Sequence, residues 1–162
     1  MKENTFQIKI IQFDHRKELP SADQELVNLA FEAAQNAYSP YSGFAVGAAL
    51  RLANGVVVKG NNQENAAYPS GLCAERVAMF CAASQYRGIA IESIAIVAQN
   101  ENFDIHEPFT PCGACRQVMV EYEQLHQVSL RVILATKSGK CVVVEGMENL
   151  LPLAFLAKYL KE

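Results

Sequence analysis

Two cysteine motifs lie far apart in this chain, Cys73-Ala74-Glu75-Arg76 and Pro111-Cys112-Gly113-Ala114-Cys115. They restrict the fold more than any other feature, because their chemistry requires them to meet. Cys73, Cys112 and Cys115 together offer three thiolates, enough to hold a zinc ion without closing its shell. A structural zinc normally takes four protein ligands, whereas a catalytic zinc takes three and keeps a position for water. Glu75 stands two residues beyond the first cysteine, where a carboxylate can serve that water. The pattern reads as a catalytic metal site.

Local patterning provides a scaffold that could bring the two motifs together. Ser21 precedes Gln24 by three, which reads as a capping box. Leu26, Leu29, Ala30, Ala33, Ala34 and Ala37 then recur at helical spacing. This helix is expected to end near Tyr38, because Ser39 precedes Pro40. Val46 to Leu52 and Val56 to Lys59 read as strands joined by Asn54-Gly55, a two-residue hairpin signal. A helix is expected from about Cys73 to Tyr86, followed by a nearly continuous apolar strand from Ile91 to Ala98. Pro108 and Pro111 punctuate the loop before a helix from Cys112 to about His126. Leu130 to Thr136 and Cys141 to Val144 form a second strand pair around Ser138-Gly139, and a last helix is expected from about Pro152 to Lys161. Ahead of all these, Thr5 to Phe13 alternates loosely and reads as an edge strand or an extended arm.

Strand–helix–strand crossovers imply a layered α/β sheet, with the first hairpin adding an antiparallel edge. Cys112 and Cys115 are three apart and share one face of their helix. Cys73 and Cys112 both open helices, whose positive ends favour thiolate over thiol. The two helices flank the Ile91–Ala98 strand, so their starts can converge at one end of the sheet, where open α/β folds bind ligands.

The 162 residues read as one domain, 1–162, with 1–20 as an N-terminal extension. With 51% hydrophobic and 19% charged residues the chain is globular, and a net charge of −3 argues against nucleic-acid binding. No apolar run approaches the ~18 residues that would suggest a membrane span. Five cysteines, an odd number, and a start without a secretory signal fit the reducing cytoplasm better than a disulfide framework.

Other residues compete for the metal on paper. Cys81 lies eight residues from Cys73, roughly 12 Å along a helix at ~1.5 Å per residue. Zn–S bonds of about 2.3 Å cannot span that distance while Cys73 also binds. Cys81 and Cys141 are expected to be small core residues. His15, His106 and His126 are expected to be structural or exposed, with His106 the hardest to place because it leads into Pro111.

At Cys73-Ala74-Glu75 with Pro111-Cys112 and Cys115, the chain resembles the zinc-dependent cytidine deaminase superfamily. A cysteine at 73 is similar to the small homotetrameric enzymes acting on free nucleosides. Phe44-Ala45-Val46-Gly47-Ala48-Ala49-Leu50, Glu64-Asn65-Ala66-Ala67-Tyr68 and Cys112-Gly113-Ala114-Cys115-Arg116-Gln117 extend the resemblance, which covers about Leu26 to Phe155. It implies a three-layer α/β/α fold with a mixed five-stranded sheet, an antiparallel N-terminal hairpin and helices on both faces.

The resemblance also implies site roles. Cys73, Cys112 and Cys115 would bind one Zn²⁺ per subunit, and hydroxide on that zinc would attack C4 of cytidine or 2′-deoxycytidine. Glu75 would move the water proton to N3 and then help protonate the departing ammonia, leaving uridine or 2′-deoxyuridine for pyrimidine salvage. Arg76 resembles an arginine that hydrogen-bonds a cysteine sulfur and withdraws charge, with Gln117 assisting. Asn62 and Glu64 match a pair that holds the ribose, mainly its 3′-hydroxyl; two apart on a strand, they would share a face. Phe44 resembles the ring that packs on the pyrimidine, and Ala66 and Tyr68 lie in a substrate loop that can reach a neighbouring subunit. Phe155 resembles an aromatic that closes another subunit's site in a homotetramer; simple helix packing explains it equally well.

The chain departs from the family pattern at Gln63, usually apolar, in the N-terminal segment and in the extended stretch Gln99 to Phe109. Two other readings remain open: a deaminase of a related aminonucleoside, and a structural zinc domain. The second requires a fourth ligand and leaves Glu75 without a role.

Overall fold

The computed structural model describes residues 1–160. A six-stranded sheet forms the middle layer: β1 (Ile11–Phe13), β2 (Phe44–Leu52), β3 (Val57–Asn61), β4 (Ile91–Asn100), β5 (Arg131–Ala135) and β6 (Cys141–Glu145), in the order β1-β6-β5-β4-β2-β3. Only β4 and β5 run parallel; the other neighbours are antiparallel, so the sheet is mixed. Three helices complete the layers: α1 (Ser21–Ala34), α2 (Ala74–Gln85) and α3 (Gly113–His126). α1 covers one face through Leu26, Val27, Ala30 and Ala34. α2 and α3 cover the other through Ala74, Ala78, Met79, Met119 and Val120.

The expected α/β/α architecture is present, with one strand more than expected. The sixth strand is the end of the Thr5–Phe13 segment, whose last three residues pair with β6 from Ile11↔Val143 to Phe13↔Cys141. Such a short run of alternation cannot distinguish a strand from an arm until an edge is available to receive it.

Small residues set how closely the helices approach the sheet. A Cβ on Gly60 of β3 would stand 2.5 Å from Ala78 N and 2.6 Å from Ala74 O. Glycine at 60 therefore lets the α2 backbone lie directly on the sheet. Gly47 does the same for α1 on the opposite face, 2.0 Å from Ala30 O by the same measure.

Three expected details are corrected. Ser21 and Gln24 form no capping box; Gln24 Nε2 instead donates to the Leu19 and Lys17 carbonyls at 2.8 and 3.2 Å. α1 stops at Ala34 rather than near Tyr38, because the backbone of Tyr38 pairs elsewhere: its N–H donates to Asn62 O at 3.0 Å and its carbonyl accepts from Glu64 N at 2.8 Å. The last helix is reduced to a 3-10 turn, Ala157–Leu160, and Lys161 lies outside the described residues. Both backbone polar groups of Phe155 are engaged by the Gln117 side chain, which takes them out of any helical ladder.

Candidate active site

Cys73 is the N-cap residue of α2 and Cys112 that of α3, and neither side chain caps the backbone of its own helix. α2 follows β3 and α3 links parallel β4 to β5, so both helix starts arrive at one end of the sheet. There Cys73 Sγ lies 3.9 Å from Cys112 Sγ, and Cys112 Sγ lies 3.5 Å from Cys115 Sγ. All three sulfurs fall within 4.8 Å of one another. A tetrahedral zinc with Zn–S bonds of ~2.3 Å places its sulfurs about 3.8 Å apart. The donor set fits that ion.

Among the described residues no further His, Cys, Asp or Glu joins the cluster. His15 accepts the Lys17 N–H through Nδ1, His126 stacks on Tyr122, and His106 lines a separate cavity with Asp104 and Lys137. Cys141 is buried and donates to Gly139 O, whereas Cys81 is only partly buried and accepts from Gln85 Nε2.

Cys73 and Cys115 are shifted in opposite directions. Hydrogen bonding from Cys115, with Arg76 and Cys112 adding, brings Cys73 down to about 5 against the opposing effect of burial. Cys115 is pushed up, first by donating to Cys73 and then by burial. Cys73 therefore gives up its proton more readily than Cys115 does. Arg76 Nη2 points a hydrogen bond at Cys73 Sγ over 3.8 Å, while its buried Nε has no partner among the described residues. A buried donor left unpaired costs about 1–3 kcal/mol.

Glu75 is 3% exposed and lines the same cleft as Cys73 and Cys112. Burial pushes its carboxyl up, and the Cys73 charge adds to this. A carboxyl raised in this way can both hold and release a proton closer to neutral pH.

The cleft has a volume of about 680 Å³. Phe44, Asn62, Glu64 and Tyr68 line it together with Glu75 and Arg76. Phe44 opens β2 and meets Phe109 edge-on, with ring centroids 5.8 Å apart. Asn62 and Glu64 lie just beyond the end of β3, and their side chains reach back to residues 41–46. Asn62 Oδ1 accepts from Val46 N at 2.7 Å and its Nδ2 donates to Phe44 O at 2.9 Å. Glu64 Oε2 accepts from Tyr41 N at 2.9 Å and Ser42 N at 3.3 Å, while the Ser42 hydroxyl donates to Oε1. These bonds hold the Glu64 carboxyl below its ordinary range, led by that of the Ser42 hydroxyl.

Residues 20–131 match the family described as "Cytidine and deoxycytidylate deaminase zinc-binding region". The chain belongs to that family. It is 44% identical over 135 residues to a cytidine deaminase of Halalkalibacterium halodurans, covering 83% of this chain and 95% of that protein. Its structure is similar to that of a cytidine deaminase from Burkholderia pseudomallei, with a TM-score of 0.70, 44% identity, and coverage of 81% of this chain and 97% of that one. A cytidine deaminase from Mycobacterium tuberculosis gives a TM-score of 0.62 at 34% identity, covering 82% and 95%.

Other family-like positions fall less simply. Gln117 does not reach a cysteine sulfur, because its amide is committed to Phe155: Nε2 donates to Phe155 O at 2.7 Å and Oε1 accepts from Phe155 N at 3.2 Å. The Phe155 ring is exposed, tilts against Tyr159, and lies outside the cleft of its own chain. Ala66 is also exposed and outside that cleft, whereas the exposed Tyr68 lines it and packs edge-on against Tyr41. Sequence reasoning missed Phe109, Tyr41 and Ser42. Tyr41 and Ser42 follow Ser39-Pro40, a turn signal that says nothing of what the turn holds.

Proposed function

We propose that this chain hydrolyses cytidine and 2′-deoxycytidine to uridine and 2′-deoxyuridine, releasing ammonia in pyrimidine salvage. The reading rests on one observation: a buried carboxyl, Cys73 and Cys112 line one cleft with an aromatic wall and a polar end, and the buried Cys115 sulfur converges on the other two. Relatives named cytidine deaminase support it.

Cys73, Cys112 and Cys115 hold one zinc per subunit, which when bound supplies a water acidic enough to act at neutral pH. Glu75 would take one proton from the attacking water and give it to ring N3, where it stays in the product. It would then move the second, from the new hydroxyl on C4, to the departing amine. Arg76 draws charge from the Cys73 sulfur, making the three-thiolate set less electron-rich. Phe44 packs on the base, while Asn62 and Glu64 hold the sugar through its 3′-hydroxyl. The chain works as a cytoplasmic homotetramer in which Ala66 and Phe155 reach a neighbouring subunit's site, while Tyr68 serves the cleft of its own chain. A purely structural zinc domain has no fourth ligand among the described residues and gives the buried Glu75 nothing to do.

The test is ultraviolet and ammonia assay of the zinc-loaded protein with cytidine, 2′-deoxycytidine, cytosine and dCMP separately. Turnover of the two nucleosides alone is expected; no ammonia from cytidine overturns the reading. Glu75→Gln should keep its zinc and lose about 10²–10⁴ in kcat, the usual range for a missing acid/base. A variant that retains normal turnover removes Glu75 from the mechanism.

A further inference from the structure

We propose that Ser42 is a positioning residue for the sugar end of the cleft, setting the Glu64 carboxylate and the Phe44 backbone through one oxygen. The inference rests on the deaminase reading above, in which Glu64 receives a sugar hydroxyl and Phe44 packs on the base. The Ser42 hydroxyl donates to Glu64 Oε1 and accepts from Phe44 N at 3.0 Å, and its own N–H donates to Glu64 Oε2. A hydroxyl has one hydrogen to give and two lone pairs to accept with. Here it spends the hydrogen on the carboxylate and a lone pair on the start of β2. Moving either group moves the other.

The hydrogen-bond inventory shows what remains for a ligand. A carboxylate has about four acceptor sites. Three are occupied on Glu64, by Tyr41 N, Ser42 N and the Ser42 hydroxyl, leaving one on Oε1. Asn62 Nδ2 spends one hydrogen on Phe44 O and keeps one. One acceptor and one donor lining the same cleft complement a single hydroxyl, which gives one hydrogen and receives another. Two hydroxyls would exceed the Glu64 capacity. The sugar end is therefore built to read one hydroxyl, with tolerance for its loss elsewhere on the ring, and Ser42 fixes which Glu64 oxygen does the reading.

Ser42 touches neither the base's reacting carbon nor the sulfurs, so its effect should appear in binding and depend on the sugar. The experiment compares Ser42→Ala, Ser42→Thr and Ser42→Val on cytidine, 2′-deoxycytidine and 2′,3′-dideoxycytidine. Thr and Val share a shape and differ by the hydroxyl, which separates the bond from any folding defect. Hydrogen bonds to charged groups, converted to affinity, predict that Ala and Val raise KM about tenfold or more for cytidine and 2′-deoxycytidine. We expect kcat to stay within about twofold, KM for the dideoxynucleoside to rise less than for the other two because it feels only the Phe44 contact, and Thr to resemble the parent. Equal penalties on all three substrates, a fall in kcat matching the rise in KM, or Val indistinguishable from Thr each overturn the role. Failure of the parent protein to release ammonia from any nucleoside instead overturns the deaminase reading itself.

Discussion

The two ends of the cleft are built in different ways. At the metal end, Cys73, Glu75, Cys112 and Cys115 stand in the first turns of α2 and α3, helices pinned to the sheet by buried side chains. At the sugar end, Asn62 and Glu64 leave a strand terminus and are held by the backbone and hydroxyl of residues 41–46. The first kind of site is carried by packing, the second by hydrogen bonds to a neighbouring loop and strand start. The difference predicts that damage to the metal end should be large and remove turnover. Damage to the sugar end should be graded and appear first in affinity.

The severest break is removal of a sulfur. Cys112→Ala takes away the ligand between Cys73 and Cys115 in the cluster. Losing even an outer hydrogen bond of a metal site costs about 10–100-fold in affinity or activity, so loss of a ligand should exceed about a hundredfold in both. Elemental analysis and ammonia release check this together; full zinc content in the purified variant would remove Cys112 from the site.

Next comes the support beneath α2. Gly60→Ala drives a methyl into Ala74 O and Ala78 N, which are rigid backbone atoms of the helix carrying Cys73 and Glu75. Forced overpacking of this kind costs about 3 kcal/mol, the upper end of its usual range. Gly47→Ala strains α1 in the same way but on the face away from the sulfurs. Denaturant midpoints should fall for both, while zinc retention in the folded fraction should fall for Gly60→Ala alone. Equal zinc loss in the two would mean that the metal end is not specifically carried by α2.

At the sugar end, Asn62→Ala removes the partners of Val46 N and Phe44 O. Unmet backbone groups of this part-buried kind cost about 1–3 kcal/mol, and KM should rise by about tenfold with a smaller change in kcat. Thermal melts and steady-state kinetics together check this. A fall in kcat with an unchanged KM would erase the contrast between the two ends.

The same contrast explains how much was legible beforehand. Metal binding needs particular atoms, so three cysteines and a following glutamate declare themselves by identity alone. Proline at 111 and apolar periodicity then mark where the helices begin. Asn62 and Glu64 were singled out only through family resemblance, because a polar side chain bonds a ligand or a backbone with equal ease. Their actual partners lie some twenty residues away, a distance no local pattern spans. Gln117 shows the hazard: beside Cys115 in sequence, it serves Phe155 in space. The last helix failed for the same reason, since a remote amide outbid the local ladder at Phe155. β1 was readable as an extended segment, but its edge position depends on β6, more than a hundred residues later.

The smallest expected effect is also the most specific to the sugar end. Glu64 is held below its ordinary value of 4.5, first by the Ser42 hydroxyl and then by the Tyr41 and Ser42 amides. A carboxyl depressed in the folded state stabilises it at pH above the unfolded value, and that contribution disappears as pH falls through the folded value. Ser42→Val removes the leading cause, so the folded carboxyl should titrate closer to 4.5 and protonate earlier on acidification. Tyr68 and Arg76 share the cleft and remain unchanged in the variant. A carbon-detected titration of the zinc-loaded protein reads this directly, independently of turnover. The Glu64 signal should move to higher pH in Ser42→Val and stay in place in Ser42→Thr. If the two variants titrate alike, the hydroxyl is not what holds the carboxylate, and the sugar end rests on its backbone amides alone.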